Sequence, residues 1–128
     1  MTIKPGEIDE LTDLVDESGL VQSLASMVAT PSVNPFDEPV TADCGEQEFA
    51  DHYLAAMESV GLDTFKRDVV AGRPNVFGRR HGSGEGPTVM LAGHLDTVGV
   101  EGYTAPFDPV VRDGRVYGRG SCDMKAAL

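Results

Sequence analysis

The chain has 128 residues, enough for one domain with a hydrophobic core, and 41% of its residues are apolar. Its net charge of −11 is uneven, because residues 1–70 carry 15 acidic and 3 basic side chains whereas residues 71–128 carry 6 and 7. The lack of a basic stripe disfavours nucleic-acid binding. We expect a cytoplasmic protein without a membrane partner, because the sequence shows no leader, no apolar run of about 18 residues and no C-x-x-C pair.

Two helices are predicted in the first half of the chain. Apolar residues recur at helical spacing over residues 20–28, and Pro31 ends this helix through its effect on the preceding residue. Asp43, followed three residues later by Glu46, resembles a capping box and predicts the start of the second helix, which ends at Gly61. The second helix is expected to bury Phe49, Tyr53, Met57 and Val60.

Strands are predicted over residues 64–69 and 74–79. The segment G-S-G-E-G at 82–86 precedes a strand predicted at Thr88, whereas a phosphate-binding loop follows a strand and opens a helix, so we interpret it as a flexible turn. Asp113 and Gly114 lie between two short apolar runs and predict a two-residue hairpin. This hairpin would direct the following residues back toward His94.

Residues 89–96 read V-M-L-A-G-H-L-D and contain the first candidate site. The apolar run 89–92 predicts a strand buried on both faces of an α/β sheet, and such strands carry sites at their C-terminal ends. His94 and Asp96 share a face there if the backbone stays extended. An imidazole oriented by a carboxylate suits zinc, although this triplet alone is more often an ordinary structural histidine.

A second acidic candidate follows a glycine-rich turn. Residues 117–128 read Y-G-R-G-S-C-D-M-K-A-A-L, which places Asp123 where the turn meets the start of a predicted helix. Cys122 is a weaker candidate nucleophile or ligand, because nothing nearby marks it as activated. His52, on the second helix, fits a surface or boundary residue better than a ligand.

The segments L-A-G-H-L-D-T-V and Y-G-R-G-S-C-D-M-K, with A-P-F-D-P-V-V-R-D-G-R between them, resemble a known family. It is the dizinc amidohydrolase and peptidase family of acetylornithine deacetylase, succinyl-diaminopimelate desuccinylase, aminoacylase and glutamate carboxypeptidase. The segment G-L-V-Q-S-L-A-S-M-V-A-T-P-S-V-N-P is similar to the family's opening helix and loop. The resemblance implies an α/β/α mixed-sheet catalytic domain, of which residues 1–128 form the N-terminal part and from which a second, lid or dimerisation domain is absent.

The resemblance also implies a role for each candidate residue. His94 would be a ligand of one of two zinc ions, with Co²⁺ as a substitute metal, and Asp123 would bridge both ions. Asp96 would be the catalytic residue that orients His94. The peptide bond between Asp123 and Met124 would be cis, and Ala126 departs from the glycine expected after D-M-K.

The same resemblance implies that the full-length protein would hydrolyse an amide bond of an N-acyl amino acid or small peptide with zinc-activated water, as a homodimer. The family's glutamate pair, a further acidic ligand and the last histidine ligand come later than Leu128, so we expect a fragment that is inactive alone. The DNA sequence past codon 128 tests this expectation. The alternatives are a non-catalytic remnant serving packing or subunit contact and a module that binds one metal weakly; metal titration separates them.

Overall fold

The computed structural model describes residues 6, 10, 12–36, 41 and 43–128. Helix α1 (Glu17–Ala29) and helix α2 (Glu46–Ser59) precede two hairpins, β1 (Asp63–Val70) with β2 (Arg73–Arg79) and β3 (Val110–Arg112) with β4 (Arg115–Tyr117). The chain is mixed α/β, as predicted, but its strands form two separate two-stranded antiparallel sheets. No helix of the described ranges is long and apolar enough to cross a membrane. Most of the first ten residues, where we predict no leader, lie outside those ranges.

Helix α1 confirms the predicted helix over 20–28. Asp16 caps its N-terminus by accepting hydrogen bonds from the Gly19 backbone N–H at 3.0 Å and from Ser18 Oγ at 2.8 Å. The Gly19 bond first, and the Ser18 bond second, hold the pKa of Asp16 below its ordinary value. The helix ends at Ala29, with Thr30 as its C-cap immediately before Pro31.

Helix α2 begins later than the proposed capping box requires. Gly45 is the N-cap and no side chain caps the helix, so the prediction that Asp43 forms a capping box is wrong. The physical reason is that the Asp43 carbonyl accepts a hydrogen bond from Val33 N at 2.9 Å, which engages Asp43 outside the helix. Phe49 and Met57 are buried as predicted, Tyr53 is half-buried, and Val60 is exposed because the helix has ended before it.

The predicted hairpin at Asp113 and Gly114 forms, and the two strands predicted before it pair with each other as a second hairpin. In β1–β2, Phe65 lies opposite Phe77 and the two rings stack at 4.6 Å between centroids. In β3–β4, Asp113 and Gly114 have φ of 53° and 70°, the left-handed pair that matches the twist of a two-residue hairpin. Helix α2 packs against β1–β2, while α1 contacts β4.

The buried strand predicted at 89–92 is absent. Residues 88–96 form no strand, and Val89, Met90 and Leu91 are exposed, Leu91 to 93%. An apolar run becomes a buried strand only where neighbouring strands and helices cover it. Among the described residues, no strand lies beside residues 89–92. The one strand-like pairing here is an isolated parallel bridge between Val33 and Thr97.

The helix predicted from Asp123 onward is shorter than expected. Residues 121–124 form turns, and only a short 3-10 helix, Lys125–Ala127, follows them. Its tighter winding is visible in the hydrogen bond from Ala127 N to Met124 O, three residues back. The Lys125 backbone is instead tied to the turn, because its N–H donates to Gly120 O at 2.9 Å.

The Lys125 side chain enters the core between α1 and α2. It is 1% exposed, its Nζ donates to Met27 O at 2.9 Å and Thr30 O at 2.6 Å, and it lies 4.0 Å above the Phe49 ring centre. Burial lowers the pKa of Lys125 to about 8. A neutral amine still has the two N–H groups that these two carbonyls require.

We predict that this burial makes stability depend on pH. The pKa of Lys125 is about 8 in the folded protein and 10.5 in the unfolded chain. Between these two pH values the unfolded chain binds more protons, so the contribution of Lys125 to the free energy of unfolding grows as pH rises. The stability of the wild type relative to Lys125→Met should increase by up to about 3 kcal/mol across this interval, measured by urea unfolding.

Lys66→Met is the matched control. Lys66 pairs with Asp51 at the surface. The difference in free energy of unfolding between Lys66→Met and the wild type should therefore change little over the same pH interval. If the difference in free energy of unfolding between the wild type and Lys125→Met is also independent of pH, the Lys125 ammonium remains fully charged in the folded protein over this interval.

Candidate metal centre

The three predicted site residues come together at one place. His94 Nε2 lies 3.1 Å from Asp123 Oδ1, and His94 Nδ1 lies 3.1 Å from Asp96 Oδ1 and 2.9 Å from the Asp96 carbonyl oxygen. The His94 ring therefore lies between two carboxylates, one on each of its nitrogens. Asp96 is 27% exposed and Asp123 is 86% exposed, so the Asp96 side is sheltered and the Asp123 side is open.

The contacts of Nδ1 determine which ring nitrogen carries hydrogen. A carbonyl oxygen and an ionised carboxylate can only accept, so Nδ1 must donate to Asp96. The Asp123 carboxylate also accepts, so a charged ring donates to both carboxylates. A neutral ring that keeps its hydrogen on Nδ1 has its Nε2 lone pair free for a metal ion. A carboxylate behind the imidazole is the arrangement that orients histidine ligands in metal sites.

The electrostatics of the site favour positive charge. Partial burial by itself lowers the pKa of His94, but the hydrogen bonds to Asp123 and to Asp96, together with the charges of both carboxylates, outweigh it. The pKa of His94 is therefore raised above its ordinary value. A proton on Nε2 and a metal ion would satisfy the same acceptors, so the two compete for this position.

The segment 32–34 holds the His94 side of the site. Thr97 N donates to Ser32 O and Asn34 N donates to Thr97 O, both at 2.8 Å, and Ser32 Oγ donates to Leu95 O at 2.8 Å. Asn34 Nδ2 also donates to Asp96 Oδ2 at 2.7 Å. No sequence pattern predicted a role for Asn34. Its only local signal was the Asn-Pro step, which indicates a turn.

The glycine-rich turn places Asp123. Gly120 has φ of +81°, and a Cβ on it would lie 2.8 Å from Thr97 Cγ2, so the turn approaches the His94 segment closely. Gly118 approaches α1, because a Cβ there would lie 2.3 Å from Val28 Cγ1. The hairpin that precedes this turn returns the chain toward His94, as predicted. The peptide bond between Asp123 and Met124 is cis, in agreement with the resemblance.

A surface pocket of about 230 Å³ adjoins these residues. Two of its lining residues, Thr97 and Arg119, have a buried polar atom, Oγ1 and Nε respectively, with no hydrogen-bond partner in the described part of the chain. The Arg119 guanidinium lies over the Tyr103 ring, 4.5 Å from its centre. Cys122 also lines the pocket and is a free thiol.

His52 lies away from this site. It is half-buried and its Nε2 lies 3.3 Å from Ser26 Oγ, which agrees with the boundary position predicted for it.

The ligand chemistry fits one corner of a zinc site. An imidazole nitrogen and a carboxylate oxygen are both ordinary zinc ligands, and here they converge with a supporting carboxylate behind the ring. Among the described residues, no three His, Cys, Asp or Glu side chains form a group that could hold a metal ion. The pair alone does not complete the three or four protein ligands of a zinc centre.

Residues 90–128 match the family model described as peptidase family M20/M25/M40. The matched segment contains His94, Asp96 and Asp123, and it begins within the exposed apolar run. The match supports the M20 family generally and, by resemblance, a hydrolase.

We predict that the close approach at Gly120 is necessary for the fold. Gly120→Ala adds a methyl group against Thr97 and forces a left-handed backbone on alanine, so it should lower the free energy of unfolding by about 1–3 kcal/mol. The midpoint of urea unfolding measures the change.

Gly82→Ala provides the control, because a Cβ at Gly82 meets no atom within 4 Å. Its midpoint should stay close to that of the wild type. Equal losses in the two variants would mean that the contact between Gly120 and Thr97 contributes nothing.

Proposed function

We propose that this chain provides His94 and Asp123 as zinc ligands of a hydrolase that cleaves amide bonds in N-acyl amino acids or small peptides. The observation that carries the proposal is the convergence of His94 Nε2 and Asp123 Oδ1 at 3.1 Å, inside the segment that matches the M20 family. Asp123 would bridge two zinc ions, since its carboxylate has two oxygens and its side chain is exposed. Co²⁺ would replace zinc at the same ligands.

Each residue of the site has a distinct task in this proposal. Asp96 accepts the Nδ1 hydrogen of His94, which fixes the ring tautomer and presents the Nε2 lone pair. Asp123 provides the negative charge that opposes the repulsion between two cations. Zinc, when bound, would lower the pKa of water and stabilise the charge that develops on the amide oxygen.

The described residues provide too few ligands for catalysis by the chain alone. His94 and Asp123 are two ligands, whereas a catalytic zinc takes about three from the protein and keeps one position for water. We therefore propose that residues 1–128 are inactive alone and that a general base and further ligands come from elsewhere in a complete homodimeric enzyme. A cytoplasmic location is supported by the free thiols of Cys44 and Cys122.

Zinc binding by the product of the whole reading frame that contains this chain tests the ligand assignment. Asp123→Asn keeps the size of the side chain but removes its charge, and we expect it to weaken zinc binding at least about tenfold, measured by competition with a chromophoric chelator. Asp68→Asn, on exposed strand β1, is the charge-matched control and should bind zinc like the wild type. Equal affinities in both variants would remove Asp123 from the ligand set.

Activity requires the product of the whole reading frame that contains this chain. We expect it to hydrolyse N-acetyl amino acids or dipeptides, to lose that activity with a chelator and to regain it with Zn²⁺ or Co²⁺. Hydrolysis that a chelator leaves intact would contradict the metal mechanism. Absence of both zinc binding and hydrolysis would favour the non-catalytic alternative.

A further inference from the structure

Asn34 occupies a position beside the metal centre that none of the site chemistry described above uses. Its Nδ2 donates to Asp96 Oδ2 at 2.7 Å, and Asp96 Oδ1 in turn accepts from His94 Nδ1. The bonds thus run in one line from Asn34 through Asp96 and His94 to Asp123. We propose that Asn34 is a positioning residue of the zinc site, which sets the orientation of Asp96; this inference rests on the proposed function.

The Asn34 amide has one defined orientation. Its Oδ1 accepts a hydrogen bond from Phe36 N at 3.0 Å, so the NH₂ end must be the end that faces Asp96. Its backbone is also held, because Asn34 N donates to Thr97 O at 2.8 Å. The donor is therefore presented to Asp96 by a fixed framework, and little entropy is lost in forming the bond.

The bond to Asn34 constrains what Asp96 can do. A carboxylate with one free oxygen can rotate, and the free oxygen can bind a cation itself. With Oδ2 engaged by Asn34, Oδ1 remains for the His94 ring, and Asp96 supports the ligand instead of becoming one. The neutral amide achieves this without adding charge beside the two carboxylates of the site.

A Ser32 variant distinguishes two effects: the loss of the orientation of the Asp96 carboxylate, and a general weakening of the junction between the two segments. Ser32 Oγ donates to Leu95 O at 2.8 Å, so it joins the same two segments as Asn34, but through the backbone and not through the Asp96 carboxylate. Removing either bond should weaken the junction between the segments. Only removal of the Asn34 bond should free the carboxylate.

The experiment compares Asn34→Leu, which retains similar volume without a donor, with Ser32→Ala. The zinc affinity of the product of the whole reading frame is measured by chelator competition, and ¹⁵N NMR reports which nitrogen of the neutral His94 ring carries hydrogen in the metal-free protein. We expect Asn34→Leu to weaken zinc binding by about 10–100-fold and to mix the ring tautomers. Ser32→Ala should keep the wild-type tautomer and nearly the wild-type zinc affinity. If Asn34→Leu does not fold, Asn34→Ala removes the same donor without bulk.

Wild-type zinc affinity and a single Nδ1–H tautomer in the Asn34 variant would overturn the inference. Equal losses of zinc affinity in Asn34→Leu and Ser32→Ala, with the tautomer unchanged, would also overturn it, since they would indicate loosening alone. Failure of the proposed function gives a different result, in which the wild-type product of the whole reading frame does not bind zinc. The tautomer comparison still decides in that case whether Asn34 orients the pair of Asp96 and His94.

Discussion

The buried ammonium of Lys125 joins helix α1, helix α2 and the glycine-rich turn of the candidate site. Its Nζ binds two carbonyls at the end of α1, its side chain lies against Phe49 of α2, and its backbone N–H holds Gly120 in the turn before Asp123. The carbonyls at a helix C-terminus carry partial negative charge, so a cationic or amine donor suits them. The position of Asp123 thus follows from the packing of both helices.

The candidate site around His94 is arranged on the opposite principle, because it places two carboxylates around one imidazole. His94 faces acceptors on both ring nitrogens, and the hydrogen bonds to Asp96 and Asp123 raise its pKa in spite of partial burial. The sheltered Asp96 side fixes the ring, while the exposed Asp123 side is open to solvent. The site is therefore divided into a sheltered half and an accessible half.

Local patterns predicted the local structure, and the motifs predicted which side chains meet. The Asp113-Gly114 hairpin, the two strands before it and both helices depend on neighbours in sequence, and they form as expected. The strand at 89–92 was predicted wrongly because an apolar run specifies burial, not the partner that provides it. The roles of Asn34 and Lys125 were missed for a related reason, since each acts on groups more than 60 residues away in sequence. Whether the three site residues bind metal stays a prediction.

These sequence separations affect how the molecule folds. The bond between Asn34 and Asp96 closes a loop of 62 residues and that between Lys125 and Met27 one of 98, whereas the strands of each hairpin meet within a few residues of their turn. Closing a long loop has an entropic cost that a single bond does not recover. The hairpins can therefore form early and independently, but the ligand pair depends on the same cooperative step that assembles the core.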